Sequence, residues 1–183
     1  MKNLSTLLAA CLALPVFAAL GSAPARADLR PEKVYVAESR KTQTYIKDGL
    51  ITGGDQAIKD VIVKDIRRAR NLLFERIVID LEGNQGGEPA EIQRPPFYQV
   101  AVNPEEKRLV FTLWGKPKLA FDAQKVQAAF KKSEWIKTME LYPVVDGDSW
   151  TFALEMRSVQ GVEVFELSDP VRIIIDIKNS RGE

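Results

Sequence analysis

The sequence predicts a mainly β chain, a small two-sheet β-sandwich with one short inserted helix. Short apolar runs that alternate with polar residues recur from Phe74 to Lys178. Clusters of Gly, Pro, Asn and Asp punctuate them. After Phe74 one convincing stretch carries helical spacing, just behind Asp122.

Residues 1–27 read as a secretory signal peptide rather than as part of the fold. Lys2 supplies a positive start and Leu4 to Leu20 is apolar. Gly21-Ser22-Ala23-Pro24 breaks the run, and Ala25-Arg26-Ala27 is a small-x-small cleavage site. The run falls short of the ~20 unbroken apolar residues of a membrane-spanning helix. Leu8-Ala9-Ala10-Cys11 also resembles a lipoprotein processing site. The ordinary signal is favoured, because few apolar residues precede Cys11 and many follow it.

Residues 28–57 read as an N-terminal extension on the edge of the domain. Val34-Tyr35-Val36 and Thr42 to Ile46 are weak strand candidates, and Gly49, Gly53 and Gly54 break the pattern. Ala57 to Leu73 is ambiguous. Ile58, Val61, Ile62, Ile66, Ala69 and Leu73 follow helical spacing, yet Val61-Ile62-Val63 fits a strand entering a turn at Arg70-Asn71. Arg76 to Leu81 is a β-branched strand. Gly83 to Pro96 is a loop, Phe97 to Val102 a strand, Asn103-Pro104-Glu105-Glu106 a turn, and Arg108 to Trp114 a strand.

Asp122 is a helix N-cap, with Val126, Ala129 and Phe130 as the apolar stripe and Lys131-Lys132 at the C-terminal end. A meander follows. Lys137 to Val145 and Trp150 to Arg157 are joined at Asp146-Gly147, a strong hairpin signal. Val162 to Leu167 turns through Ser168-Asp169-Pro170 into Val171 to Lys178. The domain proper is expected over residues 58–178, with a polar tail at 179–183.

Composition narrows the function. Removing residues 1–27 takes Lys2 and Arg26 from the 26 basic residues and none of the 25 acidic ones, so the formal charge moves from +1 to −1. Such a chain has no global field to draw in nucleic acid or an anionic surface. The chain contains no His, and its one Cys is Cys11. Thiol nucleophiles, Ser-His triads and His-bound zinc are therefore excluded from the processed chain, as are disulfides.

Three strands repeat one pattern: Arg76-Ile77-Val78-Ile79-Asp80-Leu81, Arg108-Leu109-Val110-Phe111-Thr112-Leu113 and Arg172-Ile173-Ile174-Ile175-Asp176-Ile177. Alternation puts Ile77/Ile79/Leu81, Leu109/Phe111/Leu113 and Ile173/Ile175/Ile177 on one buried face, and the three arginines on the other. Together with Phe97-Tyr98-Gln99-Val100 and Asp169-Pro170-Val171, this pattern resembles the AMIN domain. That family comprises small β-sandwiches that target periplasmic cell-wall amidases and pilus secretins. The resemblance spans Val61 to Lys178. Thr112 stands where the family prefers Asp, and Lys116 to Val145 is an insertion. It also implies an opening strand, which settles Ile58 to Arg67 as extended.

By resemblance, the chain is expected to be periplasmic and to attach to peptidoglycan or to an envelope protein complex. It would do so without catalysis, cofactor, metal or stable membrane insertion. Arg76, Arg108 and Arg172 would form a basic row for carboxylates. The plainer alternative pairs them across strands with Asp80 and Asp176. Among the aromatics Trp114 is the better candidate for stacking on sugars, with Tyr98 beside it, while Trp150 belongs to the core. Asp146 and Asp148 are turn residues rather than a glycosidase pair or a calcium loop. Glu88, Glu91 and Arg94 in the 83–96 loop are candidates for partner contact. The rival expectation is a protein-interaction or chaperone-like adaptor that uses an open edge strand.

Overall fold

The computed structural model describes residues 33–144 and 147–178. The expected signal segment, the tail and Asp146 lie outside the described residues.

Twelve strands and one helix are described: β1 (Val34–Val36), β2 (Gly49–Gly53), β3 (Val61–Arg70), β4 (Phe74–Gln85), β5 (Glu88–Ala90), β6 (Tyr98–Asn103), β7 (Arg108–Trp114), β8 (Lys118–Leu119), α1 (Ala123–Phe130), β9 (Ile136–Leu141), β10 (Ser149–Met156), β11 (Val162–Ser168) and β12 (Val171–Lys178). One sheet has the order β1-β2-β6-β7-β10-β9. The other runs β11-β12-β4-β3-β8, with β5 folded back on the end of β4. The mainly β, two-sheet architecture with one short helix is the one the sequence predicts.

Strict alternation builds the core. β4, β6 and β7 bury every second residue, so Ile77, Ile79 and Leu81 meet Val100, Leu109, Phe111 and Leu113 in one apolar cluster. Phe111 is its aromatic centre, with ring centroids 4.9 Å from Phe152, 6.0 Å from Tyr98 and 6.2 Å from Trp150. Trp150 Nε1 donates to the Tyr142 carbonyl at 3.0 Å, so its one polar atom is satisfied. Asp122 caps α1 by accepting from the backbone N–H groups of Gln124 and Lys125, and Val126 and Phe130 face the core.

Several expectations need correction. The 28–57 extension is part of the sandwich from Val34 onward. β2 pairs with β6 along five residues and buries Ile51, while β1 forms the outer edge. The 83–96 loop contains a hairpin: β4 continues to Gln85 and returns as β5 through Gly86-Gly87, both at positive φ. β3 is a strand, as the resemblance implied. A register shift between Val63 and Asp65 changes which side chains face inward, so Val61, Val63 and Ile66 are all buried. β9 and β10 pair antiparallel, with Leu141 opposite Phe152, as expected of the two segments that flank Asp146-Gly147.

Residues 38–46 cross from the first sheet to cover the outer face of β11 and β12. Glu38 bridges to Phe165 and Ile46 to Val162, so this strap occupies the edge that β11 leaves open.

Candidate functional site

The three arginine-headed strands are extended, and their aliphatic positions point inward together. They are not three neighbours, however. β4 and β12 lie side by side, but β7 belongs to the opposite sheet. Alternation specifies which face a side chain takes, not which sheet its strand joins. The expected basic row is therefore divided between the two outsides of the sandwich.

On the β4–β12 side the antiparallel register sets Arg172 opposite Asp80 and Arg76 opposite Asp176. Arg76 grips Asp176 with two bonds, Nε to Oδ1 at 2.7 Å and Nη2 to Oδ2 at 2.8 Å. Asp176 is 0 % exposed and sits opposite a second buried carboxylate, Glu163. The strap neutralises the pair. Lys41 Nζ bonds Asp176, lies 3.5 Å from Glu163 Oε2, and rests over the Phe74 ring at 3.9 Å. Glu163 Oε1 accepts the backbone N–H groups of Thr42 and Gln43, each at 2.6 Å. Burial depresses the Lys41 pKa, but hydrogen bonds to Asp176 and Tyr45 outweigh it and hold the value above that of an ordinary lysine. Two cations and two carboxylates meet here, with Glu163 Oε2 facing the charge of Lys41 at 3.5 Å without a hydrogen bond of its own. Arg76 thus belongs to a structural latch, the plainer of its two alternatives.

Arg108 is on the far side. Its Nη2 donates to Glu140 Oε2 at 2.9 Å and to the Tyr142 hydroxyl at 2.8 Å, reaching across the small Ala153 between them. Tyr98 is a core residue, 0 % exposed, and is no ligand contact. Its hydroxyl lies near the Glu166 carboxylate without a properly formed hydrogen bond. Burial first, then the Glu166 charge, pushes its pKa well above the usual value.

Trp114 is half-buried. Its ring is 5.2 Å from Phe97, and the two line a groove of about 340 Å³ with Ile58, Lys59 and Lys116. Residues 115 and 116 lead from that groove through β8 to a larger one. This second cleft, of about 840 Å³, has an apolar floor of Leu81, Ile92, Phe121 and Val171. Its rim carries Lys64, Arg67, Lys125 and Arg172 together with the carboxylates of Asp65, Asp80, Glu82, Glu91, Asp122 and Asp169.

Arg172 differs from Arg76 in how much of it is used. It spends Nε on Asp80 Oδ1 at 2.8 Å, and Asp80 also takes both bonds of Arg67. The terminal nitrogens of Arg172 have no partner among the described residues, and its side chain is 31 % exposed toward the cleft. Lys125 is exposed and has no ion pair among the described residues. Arg67 also lies 4.0 Å from Asp65, so what the rim offers an anionic group is the unused end of Arg172 and Lys125, set among carboxylates above an apolar floor.

The cleft itself was not legible beforehand. It joins the start of β12 to the β8–α1 connection and the segment after β5, which are distant in sequence. Of the loop candidates, Glu91 lines it, Arg94 pairs with Glu166 at 3.3 Å, and Glu88 lies exposed on β5.

No family model, no curated protein and no solved structure matches this chain.

Proposed function

We propose that this chain is a non-catalytic binding module of the bacterial cell envelope that attaches to peptidoglycan through the Arg172 cleft. The observation that carries the reading is the unspent end of the Arg172 guanidinium at the mouth of the 840 Å³ cleft, next to Lys125 and above apolar side chains. Peptidoglycan stem peptides present carboxylates, an amine and short aliphatic side chains. A rim of both signs over an apolar floor suits that chemistry. The signal-like segment 1–27 and the likeness of the Arg76, Arg108 and Arg172 strands to AMIN domains support the compartment and the ligand class.

Co-sedimentation with purified insoluble sacculi tests it. Wild-type protein pellets with sacculi, and Lys125→Glu or Arg172→Ala reduces the pelleted fraction several-fold. Absence of wild-type retention, or full retention in both variants, refutes the reading.

The rival adaptor reading has one observation in its favour. β1 is an edge strand whose Val34, Tyr35 and Val36 are all exposed. An extended peptide adding to that edge would use main-chain bonds rather than the cleft. A Val36→Pro substitution would abolish such binding and leave sacculus retention intact.

A further inference from the structure

The β3–β4 hairpin ends in a two-residue loop. Arg70 lies opposite Glu75, and the Asn71 N–H donates to the Phe74 carbonyl at 2.9 Å, so Leu72 and Leu73 form the tip. Asn71 supplies the turn chemistry, its side-chain oxygen accepting the Leu73 N–H at 3.2 Å. Nothing in that turn requires leucine at either central position, where Gly, Asn or Asp are the usual residues. Yet the leucines are 90 % and 71 % exposed, the first being the most exposed large apolar side chain described.

The tip has a basic collar. Arg68 and Arg70 precede it on β3. Lys131 and Lys132 follow α1, where Arg68 Nη2 bonds the Lys132 carbonyl at 3.3 Å. Among the described residues two carboxylates answer the four cations Arg68, Arg70, Lys131 and Lys132, Glu75 on Arg68 and Glu134 on Arg70. Lys131 and Lys132 are exposed and have no ion pair among the described residues.

We propose that this hairpin tip docks the protein on an anionic phospholipid bilayer, with Leu72 and Leu73 entering the acyl boundary and the collar facing the headgroups. A protruding two-residue finger offers far less than the about 800 Å² per partner of a stable protein interface. A bilayer accepts such a finger without a matching pocket, and the surplus of positive charge complements an anionic headgroup layer. None of the tip and collar residues lines the cleft.

The test uses the protein in the form that accumulates when expressed with its own N-terminus, and vesicles of phosphatidylglycerol with phosphatidylethanolamine. Wild type co-sediments with them, less so as salt rises, and poorly with phosphatidylcholine vesicles. The double variant Leu72→Ser/Leu73→Ser lowers the partition coefficient by about tenfold or more. Lys131→Glu/Lys132→Glu removes most of the salt dependence. In Leu72→Trp, emission shifts to the blue on anionic vesicles, reporting the tip itself. Vesicle binding that the serine pair leaves unchanged, or a Leu72→Trp emission that does not respond, overturns the proposal.

Discussion

Replacing Glu163 by Gln keeps the side chain's shape and removes its charge from the latch beneath the strap. In the wild type, Oε1 holds the Thr42 and Gln43 amides at 2.6 Å and the Thr42 hydroxyl at 3.1 Å, while Oε2 lies 3.5 Å from Lys41 Nζ. Two charge-assisted backbone bonds become neutral ones, losing roughly 0.5–1 kcal/mol each. The new amide nitrogen must also face either Lys41 or the strap amides, donor against donor. A broken buried ion pair typically costs about 3–5 kcal/mol. Lys41 keeps Asp176 and is 26 % exposed, so the smaller figure of about 2–3 kcal/mol is expected. In urea that lowers the midpoint by about 1 M at an m-value near 2 kcal/mol/M. Gln43 holds a left-handed conformation, φ 64°, while its N–H is bound to Glu163. Amide exchange at Thr42 and Gln43 should therefore accelerate more than exchange in β4. A midpoint change worth less than about 0.5 kcal/mol, with exchange at both amides unaltered, would refute the latch.

Tyr98→Phe removes a buried hydroxyl that lacks a proper partner, so the neutral-pH stability should stay level or rise by up to about 1 kcal/mol. A loss larger than that would mean the hydroxyl is bonded. The folded pKa values of Tyr98 and Lys41 are both raised, so their contributions are complete below the unfolded pKa values near 10 and decline as pH climbs beyond them. Urea midpoints from pH 9 to 11 should fall, less steeply in Tyr98→Phe. Gly54→Ala and Gly86→Ala separate backbone strain from collision. Both sites have positive φ, but a Cβ on Gly54 would lie 2.0 Å from the Pro96 carbonyl oxygen, whereas Gly86 faces open space. Thermal unfolding should show a loss of about 1 kcal/mol at Gly86 and clearly more at Gly54; equal losses would contradict the close approach.

The sandwich was legible because Ile77/Ile79/Leu81, Leu109/Phe111/Leu113 and Ile173/Ile175/Ile177 alternate without interruption on long strands. β3 imitated a helix because its bulge breaks the two-residue period between Val63 and Asp65. β2 was missed for a different reason. Gly53 reads as a breaker, but a Cβ there would be 2.4 Å from the Tyr98 hydroxyl, so this glycine marks close packing inside a strand. Thr42 to Ile46 was expected as a weak strand but lies in the strap outside any strand, because its polar residues are placed by Glu163 and Asp176 across more than a hundred residues of chain. Of the candidate site, Arg172 and Trp114 were found at groove mouths. Arg76, Arg108 and Tyr98 were assigned to other duties by cross-strand partners and burial that only the register defines.

Backbone amide NMR of the protein titrated with soluble muropeptides examines the cleft most directly. The account predicts saturable shifts at Ile92, Phe121, Lys125 and Arg172, with the amide of Arg108 on the opposite outer face left still. Shifts gathered instead around β1, or none at concentrations where sacculi retain the protein, would contradict it.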